Sequence, residues 1–259
     1  KILEFASKTN ITMIDTAASY GLSETVLGCA SLENFDVVTK IPPVTEHQAD
    51  IDRWLTDQIN GSLSRLRVQS LYGLLIHKTS DLTGPNGNSL IRSMRSQKER
   101  GKVMKIGVSV YSPQEIVQIL EKFIPDVIQV PISILDRRMS ESGLLEIMSQ
   151  LGIEIHARSV FLQGLLLMER SQIPIKFSAW DPLWDRWCKI TGDDVETKLR
   201  ICIGSVVADP LVSRVVVGVN SVSHLSQICS SGFSYVEDNF SIIESAELDL
   251  IDPRRWSMW

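Results

Sequence analysis

Short apolar runs alternate along the chain with longer stretches of helical period. The runs at Thr12–Asp15, Asp36–Lys40, Tyr72–His77, Lys105–Val110, Val127–Val130, Ile153–Ala157 and Val215–Val219 are rich in β-branched residues and continuous rather than alternating. That is the pattern of parallel strands covered on both faces. The intervening segments carry helix signals. Ser23 reads as the N-cap of a helix that begins at Glu24, and "ADIDRWLTDQINGSLSRL" places apolar residues at helical spacing. "SLIRSMRSQKERG" ends in basic residues and Gly101, and "SPQEIVQILEKF" offers Ser112 as N-cap with Pro113 in the first turn. "SESGLLEIMSQLG" closes on Gly152, and "FSAWDPLWDRWCKITG" reads as a helix capped by Asp181 with Pro182 as its first residue. A βαβα order with connections of crossover length predicts parallel strands.

The expected fold class is therefore α/β, a (β/α)8 TIM barrel forming a single domain over residues 1–259. Seven strands are legible where the barrel needs eight. The chain opens at Lys1 inside a helical pattern, so the reading expects the first strand to precede Lys1, or a neighbouring element to fill its place. An open doubly wound sheet is the structural alternative, but no GxGxxG follows any strand.

Composition narrows the function. The 259 residues carry a net charge of −5, which disfavours nucleic acid as a partner. No apolar run approaches the ~20 residues of a membrane span, and the first residues do not read as a signal peptide. Cys29, Cys188, Cys202 and Cys229 are scattered without a CxxC pair, as expected of reduced thiols in a cytoplasmic protein. Oligomeric state is left open.

Candidate chemistry lies at the strand ends, where parallel barrels carry their active sites. "IDTAASYGLSETVLG" ends a strand in Asp15 and puts Tyr20 in the loop that follows. "DVVTK" ends in Lys40 and "YGLLIH" in His77. Neighbouring strands lie ~4.8 Å apart, so acid, phenol, amine and imidazole converge. An unperturbed phenol has a pKa of about 10, and an adjacent ammonium favours its ionised form. Lys40 is thus expected to tune Tyr20, Asp15 to balance Lys40, and His77 to bond the phenol or a substrate oxygen. Singly, each residue also reads as a loop cap, a loop aromatic, a solvated strand end or a rim histidine. Together they make a general acid beside a place for a carbonyl.

This arrangement resembles the aldo-keto reductase family, from about Ile2 to the region of Ser245. "IDTAASYGLSETVLG" is similar to its D-T-A-x-x-Y-G-x-S-E-x-x-L-G stretch, "VVTK" to its lysine strand and "LLIH" to its histidine strand. The resemblance implies a catalytic tetrad of Asp15, Tyr20, Lys40 and His77, NADPH or NADH as cofactor, no metal, and reversible reduction of a small-molecule carbonyl. It also implies cofactor contacts at Ser109, Gln129, Arg158, Ser159, Gly164, Gly218, Asn220, Ser221 and Gln227. Three departures stand out. Val110 replaces the usual asparagine beside Ser109. Arg158 stands where an aromatic is usual; its planar guanidinium could stack on a ring, meet an anion, or pair with a loop carboxylate. Asn220, Ser221 and His224 stand where NADPH-selective members often carry a cation, which leans away from strict NADPH selectivity.

Trp180, Trp184 and Trp187 fall at one-turn spacing, as a packed stripe or as an aromatic wall for substrate. Trp256, Trp259, Arg254 and Arg255 in the C-terminal tail are further pocket candidates. The "HARSVFLQGLL" segment resembles a bacterial subgroup associated with surface sugars, which suggests a sugar-like carbonyl. Two other functions stay open on the same residues: a nicotinamide-binding regulatory or partner subunit with little turnover, and a metal-dependent barrel hydrolase. The hydrolase needs several His or Asp ligands, and the strand ends supply Asp15 and His77, with His156 inside a strand.

Overall fold

The computed structural model describes residues 1–45, 48–232 and 243–256, so Trp259 lies outside the described residues. They form two compact units: residues 1–129 with 148–154, and residues 130–147 with 155 onward. In the first unit the order is α1 (Ile2–Lys8), β1 (Met13–Asp15), α2 (Ser23–Leu27), β2 (Asp36–Ile41), α3 (Ile51–Leu66), β3 (Leu71–Ile76), α4 (Ser80–Thr83), α5 (Gly87–Glu99), β4 (Val103–Ser109) and α6 (Pro113–Leu120). Strand β5 (Val127–Pro131) leads into the second unit. All of these strands pair in parallel and in chain order, as the apolar pattern predicts.

The register builds the site. Asp15 lies opposite Val38, Lys40 opposite Leu75, Leu75 opposite Gly107, Gly107 opposite Val127, and Ser109 opposite Gln129. Registered partners and every second residue share a face. One face therefore carries an apolar layer of Val38, Leu75 and Val127, with Met13 and Tyr72 packed against it. Asp15, Lys40, Ser109 and Gln129 stand on that same face at the carboxyl ends. Glycine is required within it: a Cβ on Gly107 would sit 1.9 Å from the Val127 carbonyl oxygen. At the amino ends, Tyr72 donates to Glu154 Oε2 at 2.8 Å and Lys105 pairs with the same carboxylate. Burial is the main reason the Tyr72 phenol is pushed above 10.0.

The helices follow local chemistry. Asp50 caps α3 by accepting from Arg53 N at 3.0 Å, and Ile51, Leu55, Ile59, Leu63 and Leu66 bury one face at helical spacing. Each such side chain contributes roughly 1.5–3 kcal/mol. Ser112 caps α6, with Pro113 in its first turn. Gly101, at φ 71°, takes the left-handed turn after α5. Helix α2 corrects the expected cap: it begins at Ser23, whose Oγ lies 2.9 Å from Thr16 Oγ1 instead of turning to the helix's own N–H groups.

The second unit carries α7 (Leu144–Gln150, which straddles both units), β6 (Glu154–Arg158, likewise), α8 (Asp181–Thr191), α9 (Val195–Val207), β7 (Arg214–Val215), α10 (Val222–Ser230) and α11 (Leu248–Ile251). β7 is two residues long, shorter than the five expected at Val215–Val219, although Val216 N still reaches Ala157 O at 2.7 Å. Helix α8 starts at Asp181 itself, a second correction: the Asp181 carboxylate is drawn to the Arg170 guanidinium at 2.8 Å and does not cap. Trp184 and Trp187 are buried, and their indole N–H groups donate to Phe177 O and Leu166 O at 3.1 and 3.0 Å. These two are core residues, not a substrate wall. Trp180 donates to Glu247 at 3.0 Å, and Trp256 meets Phe177 edge-on at 4.9 Å. Arg254 and Arg255 pair with Asp252 and Asp249. Among the described residues no helix is long and apolar enough to cross a membrane.

Candidate active site

Asp15 is the last residue of β1, and the ladder to β2 continues past it: Thr16 N donates to Val38 O at 2.9 Å and Ala18 N to Lys40 O at 3.0 Å. The chain then turns. Tyr20 N donates to Ala17 O at 3.0 Å and Ser23 N to Tyr20 O at 3.1 Å. Gly21 supplies the left-handed φ of 57° that a side chain would oppose. This turn brings the Tyr20 ring over the end of β2.

Lys40 is 1% exposed. A buried ammonium costs several kcal/mol unless paired; here it pairs with Asp15 Oδ1 and donates to Thr16 O at 3.1 Å. Its Nζ lies 5.5 Å from the centre of the Tyr20 ring. The imidazole of His77, just beyond β3, meets that ring edge-on at 5.9 Å and 80°. Ser19 Oγ lies 3.2 Å from His77 Nδ1. Tyr20 keeps 49% of its surface exposed. All four residues expected of the tetrad thus meet within the first unit, as a buried ammonium paired with a partly buried carboxylate under an accessible phenol.

Ser109 and Gln129, both buried, join the same face: Ser109 Oγ lies 3.5 Å from Gln129 Oε1, and Gln129 Nε2 donates to Asp15 Oδ2 at 2.8 Å. Neighbouring loops are pinned as well. Glu115 Oε2 accepts from Tyr111 N at 2.6 Å and Thr79 Oγ1 at 3.1 Å, tying the loop after β4 to the loop after His77. Val44 N donates to Asp81 at 3.0 Å; burial outweighs that bond and raises the Asp81 carboxyl.

Sequence reasoning missed the supports. Buried Glu24 accepts from Thr39 Oγ1 at 2.6 Å and Arg65 at 2.7 Å, which fixes the residue before Lys40. The Ser-Glu pair after Gly21 was the visible signal, but its partner Arg65 is 41 positions away in sequence.

The remaining expected cofactor residues lie in the second unit. Arg158 ends β6 and donates to Ser159 Oγ at 3.1 Å. Ser159, Leu162, Gln163 and Gly164 all have left-handed φ, between 47° and 88°. Such backbone is costly for side chains, and two of its amides are used inside the turn: Leu162 N donates to Ser159 O at 2.8 Å and Gly164 N to Phe161 O at 2.9 Å. Ser221 caps α10 by accepting from His224 N at 3.1 Å. Gly218, Asn220 and Gln227 are exposed around that cap. Within the first unit, the buried Ser109–Gln129 pair has the donors and acceptors that an amide-bearing ring needs; within the second, the Ser221-capped start of α10 has the N–H groups that suit a phosphate. Among the described residues no three of His, Cys, Asp and Glu gather in a way that could hold a metal ion.

Parallel strands linked by helices, with convergent polar side chains at their carboxyl ends, define an α/β enzyme whose site lies at one end of the sheet. The chain belongs to the aldo/keto reductase family, whose model matches residues 1–248. Solved structures agree on the TIM-barrel fold. An aldo-keto reductase from Bacillus halodurans in its holo form superposes with a TM-score of 0.75 at 20% identity, covering 93% of this chain and 84% of that one. The glycerol dehydrogenase from Gluconobacter oxydans gives 0.71 at 22%, covering 98% and 84%. An aldo-keto reductase from Klebsiella pneumoniae in complex with NADPH gives 0.72 at 17%, covering 97% and 87%. No curated protein sequence matches significantly. Family membership makes the chain an NAD(P)-dependent oxidoreductase that acts on small-molecule carbonyls.

Proposed function

We propose that this protein reduces an aldehyde, ketone or sugar-like carbonyl to the alcohol, with Tyr20 as general acid and NADPH or NADH as reductant. The reading rests on one observation above all: Lys40, tied to Asp15, lies 5.5 Å from the ring of an exposed Tyr20 that His77 meets edge-on. When bound, a reduced nicotinamide would supply the hydride that reaches the carbonyl carbon. Tyr20 gives its phenolic proton to the oxygen on which negative charge grows. Lys40 stabilises the phenolate left behind, and Asp15 keeps Lys40 charged and oriented. His77, steadied by Ser19, holds the carbonyl oxygen toward the phenol.

Ser109 and Gln129 would hold the carboxamide of the nicotinamide. Ser159, the backbone to Gly164, Gly218, Ser221 and the start of α10 would hold the phosphates. Arg158 would stack on the ring or meet the pyrophosphate, while Asn220 and Gln227 would face the adenosine end. Without a cation at these last positions, NADH is expected to compete with NADPH.

The test begins with fluorescence titration of the protein with each cofactor. A carbonyl panel that includes aldoses follows. Tyr20→Phe is expected to lose at least ~10²-fold in turnover while binding cofactor as wild type does. Wild-type binding with no turnover on the panel would instead favour a nicotinamide-binding partner subunit.

A further inference from the structure

Gln129 makes a contact that carbonyl reduction does not require of it. Its Nε2 donates to Asp15 Oδ2 at 2.8 Å, while Asp15 Oδ1 holds Lys40. Its Oε1 faces Ser109 Oγ at 3.5 Å, across the β4–β5 register. One carboxylate is thereby shared between an ammonium and an amide N–H. Gln129 and Lys40 are each 1% exposed, so water screens neither contact well. A hydrogen bond to a charged group in such surroundings is among the strong ones.

We propose that Gln129 is a positioning residue for the acid: it takes up part of the Asp15 charge and so sets how fully the Lys40 ammonium is available to the Tyr20 phenol. The inference rests on the reading of Tyr20 as the acid. Among the described contacts, Lys40 from β2 and His77 beyond β3 face the Tyr20 ring, with Asp15 from β1 behind Lys40. When the Gln129 amide is removed, the Asp15 charge falls more heavily on Lys40. The ammonium then supports the phenolate less, and the phenol becomes harder to ionise. An added carboxylate at position 129 acts in the same direction and more strongly.

The experiment is a titration of cofactor-free protein carrying 13C-labelled tyrosine, with the Tyr20 signal assigned from Tyr20→Phe. In Gln129→Met the Tyr20 midpoint is expected to move up by about 0.5–1 in pH, and further in Gln129→Glu. In an Asp15→Asn background the Gln129 substitution is expected to lose most of its effect, the mark of a coupled pair. A residue with only a packing role would leave the midpoint where it was. An unmoved midpoint in a folded Gln129→Met, or in Gln129→Glu should the methionine variant not fold, overturns the inference. The readout needs no cofactor. A moved midpoint in a protein that binds neither NADPH nor NADH upholds the Gln129–Asp15 link and rejects the functional reading. Turnover with an unmoved midpoint rejects the inference alone.

Discussion

A charge removed from water decides most of the site's energetics at the scale of single residues. Lys40 keeps its ammonium inside the first unit because Asp15 and the Thr16 carbonyl receive it. Lys40→Met deletes that ammonium and leaves the partly buried Asp15 to Gln129. It is expected to cost about 2–3 kcal/mol in urea unfolding and, on the reading proposed here, about 10²-fold or more in carbonyl turnover. Loss of activity without loss of stability would show that the pair holds no structural charge. The tetrad residues were legible in the sequence because each closes a short strand or sits in a small-residue loop. Glu24, Arg65 and Glu115 were not, since their partners are set by packing between elements.

Register matters more than propensity for whole elements. Gly107 lets β4 lie close against β5, and a Cβ there would strike the Val127 backbone. Backbone cannot rotate away as a side chain can. Gly107→Ala is therefore expected to cost about 3 kcal/mol, at the upper end of overpacking penalties, and to displace Ser109 two residues on; urea unfolding and cofactor titration check both. The α8–α9 junction offers a pH test. Lys198 is fully buried and pairs with Asp193, which also accepts from Arg170 N at 3.1 Å. The bond from Lys198, above all, lowers the Asp193 carboxyl below 3.8. A lowered carboxyl stabilises the fold above its unfolded value, and that stability is lost as pH falls through the folded one. Asp193→Asn is expected to lower stability by about 1–2 kcal/mol at neutral pH, a modest figure because the carboxylate is partly exposed. The gap to wild type is expected to close below about pH 4. A gap independent of pH would mean that the carboxylate charge contributes nothing.

The cysteines report on the molecule as a whole. Cys29 and Cys229 are exposed and Cys202 is buried. Burial, aided by the Asp193 carboxylate, pushes the Cys188 thiol up to about 11, so it stays protonated at neutral pH. The thiolate is the reactive form. Labelling of native protein at pH 7–8 is expected to modify Cys29 and Cys229 quickly and to reach Cys188 and Cys202 only on unfolding. Fast labelling at four sites would mean that the second unit opens readily.

The strand runs and the order of the tetrad followed from the sequence alone, because period and chain order are local properties and each strand end falls where its apolar run stops. Helix starts do not follow from local chemistry alone: Ser23 and Asp181 have the chemistry of caps, yet the Thr16 hydroxyl and the Arg170 guanidinium, outside their helices, claim their side chains. The α8 tryptophans could be read as wall or core until burial and the carbonyls of Phe177 and Leu166 decided for core. Only tertiary structure could show that Gln129 reaches Asp15, 114 positions away, because that contact depends on four successive strand pairings rather than on any neighbour in the chain.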